Sequence, residues 1–388
     1  MATNTPGALL AFPNEVIDEI LGNLVASFPL PAPTTRSHPS PPKKSPALIA
    51  LQSIALVSRQ WRGPAQRRIV SKLVVRTGTQ ARAIAASLED GSLGAQMREL
   101  KLFGSLRGSS TVPTASELLK GDCITPEDML ALLQVAPRLA VLELNALDFM
   151  RFRQRNIPAV KALSCLATVH TFSIESPPFD STLELLTTLL PNFPALRSIK
   201  HSPDYPIRKF RPRSTSEHPF LETLELDGPS SVSTFLALVP NLPKVASLSL
   251  YLYDYEGSLN PLGNLMGPRL RTLAWKSFAD SYLTDLLPFL PKCTGLLTLQ
   301  LSYIEDLDSL VKLLTQIPTV QTLQTRGDHM SVSHLLAALA TTSKPAALRR
   351  LELVEPFAHS TLINLTISDL EEYEIEVISE HSCRRSPC

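Results

Sequence analysis

The sequence predicts an α/β solenoid with a short helical module in front of it. Three observations carry that expectation. Runs of the form apolar-x-x-apolar-x-apolar recur down the chain, a proline stands two residues before many of them, and the first seventy residues follow a helical periodicity instead.

The helical module comes first. In Phe12 to Leu24 the residues Val16, Ile17, Ile20, Leu21 and Leu24 recur at one-, three- and four-residue steps, which gathers them on one side of a helix. Pro13 suits the first turn, where its missing N–H costs nothing. A second apolar segment runs through Leu48, Leu51, Ile54 and Ala55. Ser58 then stands as an N-cap for a third helix carrying Trp61, Ala65 and Ile69 at four-residue spacing. Between the first two helices, Ser27 to Ala47 holds seven prolines, a composition that favours disorder or polyproline conformation over a packed core.

The order of these pieces resembles the F-box: an aromatic-Pro-x-Glu opening, an Ile-Leu helix, and an apolar helix closing on Val57-Ser58-x-x-Trp61. The resemblance covers about sixty residues, within a module expected over 1–70, and departs from the family in the long insertion at 27–47. It implies a three-helix unit that docks on a Skp-type adaptor and, through it, on a cullin. It further implies that Phe12, Pro13, Ile17, Ile20, Leu21, Val57 and Trp61 carry the adaptor-binding site.

The array follows. Taking the central apolar residue of each run as a marker gives Leu73, Leu100, Leu142, Phe172, Ile199, Leu224, Leu248, Leu273, Leu299, Leu323, Leu351 and Ile375. Successive markers stand 24 to 30 residues apart, with one interval of 42 that contains the polar stretch Gly108 to Thr111. Prolines 137, 194, 219, 243, 268 and 318 each precede the opening apolar residue of a run by two. Helical segments are expected between strands, at Leu183–Leu190, Phe235–Val239, Leu283–Leu290, Leu310–Ile317 and Leu335–Leu339. One strand-turn-helix unit of this size cannot bury its own apolar face, so neighbours must stack, with a parallel sheet on the concave side. The pattern resembles the irregular leucine-rich repeats of fungal-type F-box proteins. Leu147, Pro229 and Ile304 stand where a regular asparagine or cysteine ladder would run. The solenoid is expected over 71–378 and a flexible tail over 379–388.

Composition bounds the chemistry. Hydrophobic residues make up 44% of the chain, enough for a sizeable core. Lys and Arg number 37 against 36 Asp and Glu, so bulk charge gives no case for nucleic acid or an anionic membrane surface. The N-terminus has no signal-peptide pattern and no apolar run reaches membrane-span length. Five scattered cysteines without metal-ligand spacing read as reduced thiols in an intracellular protein, cytoplasmic or nuclear. No nucleophile, phosphate-loop, dinucleotide or metal motif occurs, so the expectation is a non-catalytic chain with no cofactor and no metal. Between Lys200 and His218, five cations (Lys200, Arg208, Lys209, Arg211, Arg213) outnumber two carboxylates (Asp204, Glu217), which marks a basic loop.

The functional expectation is the substrate-recognition subunit of a Skp–cullin–F-box (SCF) ubiquitin ligase, which binds the adaptor through its first helices and an unknown protein target through its repeats. The alternative is a repeat-based interaction scaffold outside any ubiquitin ligase. On the array, the residues flanking each marker face away from the helices. Their outermost column contains Tyr251, Lys276 and Arg326, which are therefore the candidate target-binding residues.

Overall fold

The computed structural model describes residues 14–26, 46–57, 59–89, 92–103, 123–145, 156–176, 186–203, 217–227, 231–251, 259–276, 286, 288–302, 313–314, 316–326, 347–353 and 376–379. The chain divides into two compact units, Met1–Val169 and His170–Cys388. The division places the helical module together with the first three strands.

The first unit opens with helices α1 (Asn14–Ala26), α2 (Pro46–Val57) and α3 (Arg59–Ser71). Ile17, Leu21, Leu51 and Ala65 form their common core, with Ile54, Ala55, Trp61 and Ile69 packed against it. Arg68 donates from Nη2 to the Asp18 carbonyl at 2.9 Å, tying α3 to α1. Strand β1 (Lys72–Val75) continues directly from α3 and pairs in parallel with β2 (Glu99–Phe103), which pairs with β3 (Val141–Asn145). The connections are α4 (Gly78–Leu88) and α5 (Pro126–Gln134), with α6 (Ile157–Lys161) following β3. Helix α5 starts on a capping box. The Thr125 side chain accepts from the Asp128 N–H, and the Asp128 carboxylate accepts from the Thr125 N–H. The same carboxylate takes the Arg82 guanidinium at 3.1 Å, which joins α4 to α5.

Among the described residues the second unit contains nine parallel strands in sequence order: β4 (Thr171–Ser176), β5 (Ser198–Pro203), β6 (Thr223–Asp227), β7 (Ser247–Tyr251), β8 (Thr272–Lys276), β9 (Thr298–Ser302), β10 (Thr322–Arg326), β11 (Arg350–Leu353) and β12 (Glu376–Ser379). Helices α7 (Ser231–Leu238) and α8 (Asn260–Met266) lie between strands, and α7 packs on β5 and β6. Other connections are single turns of 3₁₀ helix, such as Leu190–Asn192 and Leu290–Lys292. The expected segment at Phe235–Val239 thus overlaps the end of α7, which starts earlier and stops at Leu238. The expectation at Leu335–Leu339 lies outside the described residues, as do the basic loop from 204 to 216, the proline-rich stretch up to residue 45 and the tail from 380.

Register follows the markers. Leu73, Leu100 and Leu142 align in the first unit. In the second, Phe172, Ile199, Leu224, Leu248, Leu273, Leu299, Leu323 and Leu351 align strand by strand. The last marker needs correction: Leu351 pairs with Val377, not Ile375. A shift of two keeps the same face, because side chains alternate with period two, so apolar patterning alone could not tell the two registers apart.

The prolines have a mechanical reason. The N–H three residues before a marker donates to the carbonyl six before it, at Leu139→Ala136, Leu196→Phe193, Leu221→His218, Leu270→Gly267, Leu296→Cys293 and Val320→Ile317. Pro137, Pro194, Pro219, Pro268 and Pro318 each fall at the second position of such a turn, where the ring pre-sets φ. Backbone carbonyls two residues before the markers then accept two N–H groups each from the next repeat. Arg98, His170, Arg197, Glu222, Ala246, Arg271, Leu297 and Gln321 all do so. Side chains repeat the motif too: Thr168 Oγ1 donates to Leu139 O at 2.7 Å, and Thr319 Oγ1 donates to Leu296 O at 2.8 Å from the equivalent position.

Every marker of β2 to β10 is buried. So is the residue two further along on β2 to β9, from Leu102 and Leu144 through Leu226, Leu250, Trp275 and Leu301. The result is an α/β arrangement in which one sheet face is core and the other is polar. No helix among the described residues is long and apolar enough to cross a membrane.

Candidate functional site

Two surfaces stand out, one on the helical module and one on the polar sheet face. On α1 the apolar residues divide between two directions. Ile17 and Leu21 are fully buried, whereas Ile20 is 43% exposed and Val16 is also exposed. Val16 and Ile20 are one turn apart, as are Ile17 and Leu21, so the helix carries two adjoining stripes. Helix α2 likewise buries Leu51 but leaves Ile49 exposed and Leu56 81% exposed. Four large apolar side chains therefore remain in water on helices whose core is already complete. Such residues on a small module mark an interaction surface more often than isolated ones do.

The residues of the expected adaptor site differ in exposure. Ile17 and Leu21 are enclosed in the module's own core. They hold the helices in place, and Ile20 is the one that reaches the surface. Trp61 is half-buried against the same core. Val57 ends α2, while Phe12 and Pro13 lie outside the described residues. Val16, Ile49 and Leu56 were missed as surface groups. Periodicity reports that a face is apolar, not how much of it a neighbouring helix covers.

The polar sheet face is built by alternation. Strands β2, β3, β6 and β7 each show buried residues at the second and fourth positions and half-exposed ones between. The candidate residues Tyr251, Lys276 and Arg326 close their strands at equivalent positions. Tyr251 pairs with Lys276, Lys276 with Ser302, and Ser302 with Arg326, which places all three in one row across β7 to β10. Tyr251 is half-buried.

The same face carries a charge network that sequence reading did not single out. Lys200 Nζ lies 3.2 Å from both Glu175 Oε1 and Glu225 Oε1, bridging three strands. Burial works against the ammonium, but the two carboxylates outweigh it and raise its pKa. Ser202 Oγ donates to Asp227 Oδ2 at 2.7 Å. In the first unit, Lys72 bonds Glu99 at 2.7 Å and Lys101 bonds Glu143 at 2.6 Å in the same cross-strand fashion. The signal was present as opposite charges on successive runs, mostly in one column, and it needed the register to become a contact.

Buried titratable groups lie on the other side. His201 on β5 faces the core, and its Nε2 meets no hydrogen-bond partner among the described residues. Burial pushes its pKa down to about 4. Cys165 and Cys293 are buried, with burial raising their thiols to about 11 and about 12, so they stay protonated and serve packing. No protein-family model matches the chain, and no curated protein matches it.

Proposed function

We propose that this chain is the substrate-receiving subunit of a Skp–cullin–F-box ubiquitin ligase, with α1–α3 as its F-box and the strand array as a leucine-rich-repeat solenoid. The observation that carries the reading is the three-helix module that completes its own core and still presents Val16, Ile20, Ile49 and Leu56 to solvent. An adaptor helix pair laid on that surface would bury apolar area worth about 25 cal/mol per Å². The array supplies the second requirement, an extended polar face of the kind stacked repeats offer to partners. The chain then makes no bonds itself. It holds a target near a ubiquitin-charged enzyme and raises effective concentration.

Affinity purification from cells, with and without proteasome inhibition, tests this. A Skp-type adaptor and a cullin should be recovered together with the chain, and further proteins should accumulate on it when the proteasome is blocked. Recovery of partners without adaptor or cullin assigns the chain instead to a scaffold outside any ligase.

A further inference from the structure

We propose that the polar face of β4 to β10 recognises an extended protein segment with a basic half and an acidic half, separated by a planar or apolar residue. The inference rests on the reading of this face as the target surface and names the chemistry of the target.

One row of the sheet carries the argument. Glu175 pairs with Ser202, Ser202 bonds Asp227, and Asp227 pairs with Tyr251; Lys276, Ser302 and Arg326 continue the row. Its charges run negative, neutral, negative, then Tyr251, then positive, neutral, positive. The two neighbouring columns do not blur this polarity. One adds only Lys200 and Glu225 as charged groups, with Lys200 bridging Glu225 and the row's own Glu175, so carboxylates still outnumber cations on β4–β6; the other holds only Ser and Thr from Thr171 to Thr322. Across these three columns, β4–β6 contribute three carboxylates and one cation, whereas β8–β10 contribute Lys276 and Arg326 and no carboxylate.

Wettability alone does not call for such segregation, since alternating signs would solvate the face equally and pair better between neighbours. A segregated row has a long-range dipole instead, and its complement is a segment of opposite polarity. Six strand steps of about 4.8 Å span roughly 29 Å, the length of about nine extended residues at 3.3 Å each. The spacing also sets the ligand pattern. Glu175 and Asp227 are two steps apart, as are Lys276 and Arg326, so paired charges on the ligand should stand about three residues apart, the repeat that an extended polyproline-type segment keeps on one face. Tyr251 sits at the centre, where a planar or apolar side chain would stack.

Fluorescence anisotropy on the full-length chain tests this with labelled peptides of about nine residues. Each contains two lysines, a central tryptophan, two glutamates and neutral spacers. Block peptides keep the lysines on one side of the tryptophan and the glutamates on the other, in either chain direction. Control peptides alternate the charges. The better block peptide should bind at least about tenfold tighter than the alternating ones, with the advantage shrinking as salt rises. The double variant Asp227→Lys, Lys276→Glu converts the row to alternating signs and should invert the preference. Equal binding of block and alternating peptides to the natural chain, or no binding of any peptide, overturns the proposal. So does an unchanged preference in a double variant that melts like the natural chain. If the double variant does not fold, the peptide comparison on the natural chain decides alone. Adaptor capture by the same proteins separates this outcome from failure of the ligase reading, because the row lies in the second unit and α1–α3 in the first.

Discussion

His201 occupies a core position that Ile174 and Leu226 fill on the flanking strands. Its pKa is about 4 when folded, against about 6.5 for an unperturbed imidazole. Between those values the unfolded chain holds a proton that the folded chain refuses, so stability falls as pH drops through 6.5 and the loss saturates below 4. The difference of about 2.5 pH units corresponds to roughly 3 kcal/mol. His218, also pushed down by burial, adds to the slope with the same sign. Thermal melts from pH 7.5 to 4 should show this decline. His201→Leu, which restores the aliphatic column, should flatten it while melting no lower at neutral pH; an unchanged slope would place the acid lability elsewhere. Asp128 makes a second residue-scale case. Its buried carboxylate caps α5 and holds Arg82 at once. Asp128→Ala should cost about 2 kcal/mol by urea unfolding, chiefly through the lost cap, since the Arg82 side chain is largely in solvent. The helix-start position of Asp128, after Pro126, was legible in the sequence, and the capping box agrees with it. Its bond to Arg82 and the burial of His201 needed the facing helix and the register.

At the scale of elements, α1 shows what periodicity can and cannot deliver. Its existence and its apolar side were readable from residue spacing, and the helix runs Asn14–Ala26. The division of that side into a buried and an exposed stripe depends on where α2 and α3 pack. Ile17→Ala should therefore lower stability by about 2–5 kcal/mol, whereas Ile20→Ala should leave it within about 0.5 kcal/mol. Denaturant midpoints of the two variants check the contrast. The turns between repeats impose a second constraint that spacing hides. A Cβ on Gly94 would come 2.1 Å from the Val135 carbonyl oxygen, and one on Gly267 would come 2.7 Å from that of Lys292. Both glycines permit close approach between successive connections. Gly94→Ala should destabilise the first unit by about 1–3 kcal/mol, read as a lowered melting temperature. Helix α4 escaped sequence reading because its apolar contribution is mostly alanine, at Ala81 and Ala85, which patterning weighs lightly. The strands were the legible elements. Leucine at the marker and a proline ahead of it state both the pairing register and the turn, and only β12, with Val377 in place of Ile375, slipped.

The molecule as a whole contains a helical module that exposes apolar side chains and a strand array that carries a charged row. Within each unit the repeat geometry is local. Every strand pairs with its sequence neighbour, and each shared carbonyl links one repeat to the next. Such an architecture has no need of a pocket, and its surface is set column by column. The central proposal is that the exposed apolar side chains of α1 and α2 dock an adaptor. The most direct test is capture of a purified Skp-type adaptor by the full-length chain and by the double variant Ile20→Glu, Leu56→Glu. Both substitutions fall on solvent-exposed positions, so the variant should melt like the natural chain. The account predicts a one-to-one complex with the natural chain and a loss of at least about a hundredfold in affinity for the variant, or about 2.7 kcal/mol. A folded natural chain that captures no adaptor, or a folded variant that captures it equally well, would contradict the account.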